Sequence, residues 1–331
     1  MPFLTKKIES SEKNMLMQPS LGVNDGLKWN GDQYVPSSNV GFGLPSSLRG
    51  TQPQRRLCGN AECASGWTIP WRSRRRPIFE GQWGCSGRCV LAMVRAAVRR
   101  EHGDGLSEGS ATPHRHRVPL GLLMLAQGWI TQPQLQRALA AQRENGTGRI
   151  GDWLMSECGV SASQITRGLS MQWGCPVLTT EGFSPEAMSL VMPKVFAEQF
   201  GVLPLRVAGS RILYLGSTNR LDASAALAIE QMSELKVESG VIEGSIYEPA
   251  RDKLLACEGV EVRLDTSEHV DSMAARITAI LEQKQPIASR LVRLHQYYWL
   301  RIWLESSAFG RTGSLPVTGE DVMDYVFTAG S

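Results

Sequence analysis

Two stretches of the chain decide the fold of its middle part: PLGLLMLAQGWITQPQLQRALAAQ, residues 119–142, and RIGDWLMSECGVSASQITRGLSMQ, residues 149–172. An offset of 30 residues aligns them. The identical pairs are Gly121 with Gly151, Gln134 with Gln164, Arg137 with Arg167, Leu139 with Leu169, and Gln142 with Gln172. Self-similarity at a fixed offset indicates one structural unit used twice.

Each copy predicts a short helix, a turn at Gly128 or Gly159, and a second helix. The second helix opens at Thr131 or Ser161, with a glutamine three residues later, which is the pattern of a capping box. We therefore expect a helical repeat subdomain over residues 118–175.

The flanking sequence predicts an α+β multidomain fold around this repeat. Residues 176–256 alternate short apolar runs with amphipathic stretches, which predicts a small α/β subdomain; VLPLRV and RILYLGS, residues 202–207 and 211–217, read as a β-hairpin. Residues 257–331 predict a C-terminal helical region with helices near 271–283 and 287–304. In the second of these helices, aromatic residues extend the apolar surface beyond one face, so we expect residues 286–304 to cover another domain or a second subunit.

The N-terminal part divides into three segments. Residues 1–50, rich in Ser, Asn, Gly and Pro, predict a disordered leader, and residues 102–117 predict a linker. Between them lies a basic module, residues 51–101, whose first fifty residues carry ten arginines and two acids, against a net charge of +3 for the whole chain. No apolar run reaches the roughly 18 residues of a membrane span and no signal peptide is recognisable, so we expect a cytoplasmic protein that reaches the inner face of a membrane through a partner.

The basic module contains two close cysteine pairs, Cys58-x4-Cys63 and Cys85-x3-Cys89. Since cytoplasmic cysteines are kept reduced, two such pairs favour a structural four-thiolate zinc site, with unliganded cysteines as the alternative. Nearby arginines could offset the negative charge of such a site: they are Arg72, Arg74, Arg75, Arg76 and Arg88. In the alternative, the first four of these arginines contact nucleic acid phosphates, and the rings interleaved with them stack on bases: they are Trp67, Trp71, Phe79 and Trp83. Docking of a protein is favoured over nucleic acid for this module, because the basic run is short and no base-reading fold signature accompanies it.

The repeat and two later passages carry a family resemblance. The passages are VMPKVFAEQFGVLPLRV, residues 191–207, and LYLGSTNRLDASAA, residues 213–226. Together with the repeated Gly, the spaced apolar residues and the terminal Gln, they resemble the N-terminal, MshE-type domain of type II secretion and type IV pilus assembly ATPases over about residues 117–256.

This resemblance implies cyclic-di-GMP as a ligand and a secretion or pilus apparatus protein or ATPase as the partner. The residues that match the family's contacts are Leu120, Gly121, Leu135, Leu139, Gln142, Arg149, Ile150, Gly151, Asp152, Ile165, Leu169 and Gln172. Two charged anchors of the family are replaced, because Pro119 stands in place of the first Arg and Asn219 in place of a loop Asp. The alternative is that the repeat packs or docks proteins without a nucleotide.

The motor of that family has no counterpart in these 331 residues. The phosphate-binding pattern G-x-x-x-x-G-K-[ST] does not occur, and none of the five histidines stands in a recognisable catalytic set. We therefore expect a non-catalytic adaptor or regulator. The alternative is a zinc-dependent nucleic-acid-binding regulator whose C-terminal half senses a ligand.

Overall fold

The fold is described from a computed structural model, which covers residues 58–63, 78–103, 117–209, 211–308 and 315–329. All of these belong to one compact unit, residues 44–331. The predicted leader, residues 1–50, the arginines Arg72, Arg74, Arg75 and Arg76, and most of the predicted linker lie outside the described residues. No helix in the described parts of the chain is both long and apolar enough to span a bilayer.

The repeat forms the predicted pair of helix–turn–helix units. Its helices are α2 (Leu120–Ala126), α3 (Gln132–Asn145), α4 (Ile150–Cys158) and α5 (Ala162–Trp173). Gly128 and Gly159 occupy the turns with φ of +69° and +67°, which only glycine adopts without strain. Both capping boxes are present: the Thr131 N–H donates to Gln134 Oε1 at 2.8 Å, and the Ser161 N–H to Gln164 Oε1 at 3.0 Å.

The α/β subdomain follows, with the predicted hairpin at its centre. Its elements are α6 (Pro185–Met188), α7 (Lys194–Phe200), β3 (Leu203–Ala208), β4 (Ile212–Ser217), α8 (Ala223–Ser233), β5 (Lys236–Val241) and α9 (Gly244–Ala256). Strands β3 and β4 pair antiparallel, and β5 joins β4 in parallel after the crossover through α8. Helices α6 and α7 are separate because Pro193 stands between them as the residue that precedes α7.

The prediction of a C-terminal helical region is wrong beyond its first helix. The elements are β6 (Glu261–Ser267), α10 (Val270–Lys284), β7 (Ala288–Leu294), β8 (Tyr297–Trp303) and β9 (Val322–Ala329). The strands form one sheet in the order β6-β9-β8-β7, so residues 287–304 are a β-hairpin and not a helix. His295, at the hairpin turn, has φ of +53°, a value that helices do not contain.

The wrong prediction has a physical cause, since the β7–β8 hairpin is buried on both faces. Trp299 and Trp303 point into the core of the α/β subdomain, whereas Tyr298, Leu300 and Ile302 point into a second core. A strand buried on both sides has a continuous apolar sequence, and its period does not distinguish it from a buried helix. The aromatic surface of residues 286–304 therefore covers other parts of the same chain rather than a second subunit.

The second core joins the two ends of the described chain. The N-terminal module contributes β1 (Ile78–Phe79), β2 (Gln82–Trp83) and α1 (Gly87–Gly103). The apolar face of α1 packs with α10 on the outer face of the four-stranded sheet. The basic module, residues 51–101, thus shares one core with residues 257–331.

Candidate functional site

The structure brings the four predicted zinc ligands together. The sulfur atoms of Cys58, Cys63, Cys85 and Cys89 all lie within 4.8 Å of one another. Cys85 Sγ is 3.4 Å from Cys63 Sγ and 3.5 Å from Cys89 Sγ. A tetrahedron with Zn–S bonds of about 2.3 Å has edges of about 3.8 Å, so the four sulfurs fit one zinc ion with small adjustments.

Two short pieces of backbone position these sulfurs. The turn that carries Cys58 and Cys63 is fastened to β2 by a hydrogen bond from Gly59 N–H to Trp83 O, 2.8 Å long. Cys85 precedes α1 and Cys89 lies in its first turn, where the helix dipole favours a thiolate.

Donors outside the cysteine side chains also face the sulfurs. Asn60 Nδ2 donates to Cys89 Sγ at 3.4 Å, and the Cys85 N–H donates to Cys58 Sγ at the same distance. The hydrogen bonds from Asn60 and then Ser86 lower the pKa of the Cys89 thiol, against the opposing effect of burial. Neither Asn60 nor Ser86 was predicted from the sequence, although an Asn inside a short cysteine turn is a usable signal.

The other cysteines stand apart from this cluster. Cys158, Cys175 and Cys257 are half-buried, and Cys158 Sγ donates to the carbonyl oxygen of Gln134 at 3.2 Å. Of the five arginines predicted to offset the charge of the site, Arg88 is described and is exposed on α1.

In the repeat, the glycines of the motif serve helix packing. A Cβ on Gly121 would lie 2.5 Å from Leu135 Cδ1, and a Cβ on Gly151 would lie 3.1 Å from Ile165 Cγ2. The two contacts are equivalent in the two copies, and Leu120 extends from copy one onto Gly151. The buried members of the predicted ligand set therefore form the core of the repeat: they are Leu120, Gly121, Leu135, Gly151 and Ile165.

The terminal glutamines link the copies reciprocally. Gln142 Nε2 in copy one donates to Gly148 O, which directly precedes the motif of copy two, at 2.9 Å. Gln172 Nε2 in copy two donates to Val118 O, which precedes the motif of copy one, at 2.9 Å. We call the residues just before the first helix of a copy its entry. The glutamine of each copy is thus hydrogen-bonded to the entry of the other copy.

The polar end of copy two remains open to solvent. Arg149 and Asp152 are exposed at the start of α4, and the Arg149 N–H donates to Asp152 Oδ2 at 3.2 Å. The Arg149 guanidinium donates to Asn219 Oδ1 in the loop between β4 and α8, so the structure places the motif arginine beside the replaced loop position. The half-exposed members of the predicted set are Leu139, Gln142, Ile150, Leu169 and Gln172.

Copy one differs at the equivalent positions. Pro119 has no N–H to be capped, and Leu122 stands where copy two has the capping Asp152. Leu122 and Val118 are about half exposed, at 51% and 56%. The start of α2 is consequently apolar where the start of α4 is charged.

The chain is 30% identical over 173 residues to the type IV pilus assembly ATPase PilB from Myxococcus xanthus, a match that covers 47% of this chain and 30% of PilB. The predicted resemblance is confirmed over about 40–47% of the chain. The chain spans less than a third of the length of this curated relative.

Two solved structures of related domains also match. The structure of MshE with cdg is 26% identical, covers 42% of this chain and 99% of its own, and superposes with a TM-score of 0.36. The N-terminal domain of XpsE is 20% identical, with 40% of this chain and 92% of that chain covered and a TM-score of 0.30. No family model matches the chain.

Proposed function

We propose that these 331 residues form a non-catalytic adaptor or regulator of a type IV pilus or type II secretion apparatus, and that the repeat binds cyclic-di-GMP. The proposal of this ligand rests on the placement of Arg149, whose exposed guanidinium lies beside the β4–α8 loop at the start of copy two. Arginine suits a cyclic dinucleotide because its planar donors match both phosphate oxygens and the acceptor edge of guanine.

Arg149 and the half-exposed apolar residues of the repeat suit contact with a flat ligand. Asn219 accepts from one nitrogen of its guanidinium, which carries five N–H donors in all. Ile150, Leu139 and Leu169 are half-exposed apolar side chains of the same motif and can cover a base. The glutamine amides donate to backbone carbonyls, so Arg149 supplies the main directional contact.

Calorimetry with cyclic-di-GMP tests this ligand. We expect Arg149→Ala to abolish binding, and Arg137→Ala, an exposed arginine of the same repeat whose guanidinium bonds to Glu157 O, to leave it unchanged. Pro119→Arg with Asn219→Asp should tighten binding more than about tenfold, because charge-assisted hydrogen bonds are worth ~1.5–3 kcal/mol each. Absence of heat for both the wild type and this double variant would refute the nucleotide and leave the repeat as a docking scaffold.

The docking partner is a protein of the pilus or secretion machinery, through which this chain reaches the inner face of the membrane. Its similarity to PilB supports this proposal. A pull-down that recovers a membrane-platform protein or the motor ATPase would support it. Retention of nucleic acid that is lost at moderate salt, and lost when the arginines of residues 72–76 are changed to Ala, would favour the nucleic-acid alternative instead.

The four-cysteine cluster binds one structural zinc ion in this proposal. Support comes from the grouping of the four sulfurs and from the N–H donors that face Cys58 and Cys89, as in thiolate sites. Elemental analysis of the reduced, unchelated protein should find about one zinc per chain, and Cys85→Ser should release it.

A further inference from the structure

The outer layer of the four-stranded sheet comes from the other end of the sequence. Helix α1 buries Val90, Val94 and Val98 against α10 and the sheet face that carries Tyr298 and Leu300. About two hundred residues separate these partners, for example 191 between His102 and Arg293, so their packing must overcome the entropy of closing a very long loop.

Strand β1 covers the free edge of β7. The Glu80 N–H donates to Ser289 O at 3.0 Å, and Ser289 Oγ donates to Ile78 O at 2.9 Å. An edge strand offers unpaired backbone groups, so this short β1 satisfies part of the edge. Yet β1 and β2 have two residues each, and a two-stranded hairpin of this size is not stable alone.

The C-terminal end of α1 is hydrogen-bonded to the β7–β8 hairpin. The Arg293 N–H donates to Glu101 Oε2 at 3.2 Å, and Arg293 Nη1 donates to His102 O at 2.8 Å. The His102 ring nitrogen Nδ1 lies 2.8 Å from the hydroxyl oxygen of Tyr298. The C-terminal end of α1 therefore depends on contacts with β7 and β8.

The cysteine cluster lies at the opposite end of this layer. The cluster joins the turn at residues 58–63 to the start of α1. In the sequence, β1 and β2 lie between Cys63 and Cys85, so they belong to the loop that the cluster closes. Among the described residues, this turn contributes no side chain to a hydrophobic core. A bound metal would therefore hold the turn, β1 and the first turn of α1 as one unit.

We infer that the metal is a clamp for the C-terminal sheet: occupancy of the four-cysteine site keeps α1 and β1 seated on β7 and β8. This rests on the proposed zinc site and adds what the ion does. Because a structural metal binds the folded site and not the unfolded chain, its binding free energy stabilises whatever folds together with the site. Here that includes the outer half of the second core.

Asn60 is the positioning residue of this clamp. Its amide reaches Cys89 Sγ, while its Oδ1 accepts from the Glu62 N–H at 3.1 Å, so one side chain orders both the turn and a ligand on α1. Loss of a hydrogen bond to a ligand atom commonly lowers metal affinity about 10- to 100-fold. Asn60→Ala keeps all four thiolates and should show that loss.

The test follows hydrogen exchange in the full chain while zinc is removed by a chelator and then added back as Zn²⁺ alone. We expect the Glu80 and Arg293 amides to exchange about tenfold faster or more without metal, and to recover with it. Amides of α3 and α5 in the repeat should not change and serve as the internal reference. Cys257→Ser, a cysteine outside the cluster, should retain the metal and the protection.

The outcomes separate the two proposals. Zinc at one per chain, with Glu80 and Arg293 protected equally before and after its removal, would overturn the clamp and leave the zinc site standing. Absence of zinc from reduced, unchelated protein would overturn both. Asn60→Ala keeps all four thiolates, so it can be tested even if Cys85→Ser fails to fold, and an unchanged zinc affinity of Asn60→Ala would overturn the role of Asn60.

Discussion

Replacing Asp324 by Asn should destabilise the protein more than any substitution at an exposed ion pair. Asp324 and Arg301 are paired inside the sheet with side chains 0% and 1% exposed, at 2.7 Å between Oδ2 and Nη2. Asp324 Oδ1 also accepts from Arg301 Nε and from Trp299 Nε1, each at 2.8 Å. Asn keeps one acceptor but removes the charge and turns an N–H₂ group toward the guanidinium.

The expected cost is about 3–5 kcal/mol, because removing one partner of a buried pair leaves the other charge uncompensated. Arg301 has a second attachment, from Nη1 to Val191 O at 3.2 Å, so it cannot leave the interior without breaking the contact with the α/β subdomain. The measurement is urea unfolding followed by tryptophan fluorescence, which reports on the adjacent, fully buried Trp299.

Two variants decide whether the buried charge is the cause. Asp265→Asn removes the partner of Arg276 in an ion pair whose side chains are 31% and 54% exposed, and should cost less than about 1 kcal/mol. Arg301→Gln combined with Asp324→Asn removes both buried charges and should cost less than Asp324→Asn alone. Equal losses for Asp324→Asn and Asp265→Asn, or a double variant that loses the sum of its parts, would refute the reasoning.

Three further predictions concern other elements. Burial raises the pKa of the Asp222 carboxyl, but hydrogen bonds from His295 and from the Ala225 and Ser224 N–H groups outweigh it and hold the pKa below the usual value. The contribution of this carboxylate to stability is therefore present above about pH 4 and lost as the pH falls further. In Asp222→Asn, the free energy of unfolding should fall less steeply over this acidic range. Gly240→Ala should cost about 1–3 kcal/mol in thermal unfolding, because the new Cβ would lie 2.6 Å from the backbone oxygen of Pro176, which cannot rotate away; no loss would contradict it. Ser161→Ala should lower the free energy of unfolding by about 1 kcal/mol, because it removes the hydrogen bond from Gln164 N–H to Ser161 Oγ. Unfolding followed by circular dichroism measures this loss, and an unchanged stability would contradict the prediction.

The helices of the repeat were predictable because several local signals agree there. Thr131 and Gln134, or Ser161 and Gln164, mark where a helix starts, and a helical apolar period follows them. The β3–β4 hairpin was predictable for the same reason, with the chain turning at Gly209. Local chemistry and the final fold point in one direction at these places.

The C-terminal hairpin was not predictable because its deciding interactions are distant in sequence. Leu291, Leu294, Tyr298 and Ile302 recur at a helical spacing, so the sequence favours a helix there. The burial of the two faces of the hairpin is set by α1 on one side and by the α/β subdomain on the other. Cysteine spacing predicted which four cysteines cluster, since the spacing is local within each pair. The contact between Arg149 and Asn219, 70 residues apart, required the structure.

The reciprocal glutamine contacts bear on how the repeat can change. Since Gln142 closes the entry of copy two and Gln172 closes the entry of copy one, neither half retains its full set of hydrogen bonds when expressed alone. The bonds run to backbone carbonyls, which every substitution at positions 118 and 148 preserves. Copy one therefore accommodates Pro119 and Leu122 where copy two has Arg149 and Asp152, while both glutamine bonds remain, so the two copies share a shape without sharing the chemistry at the start of their first helices.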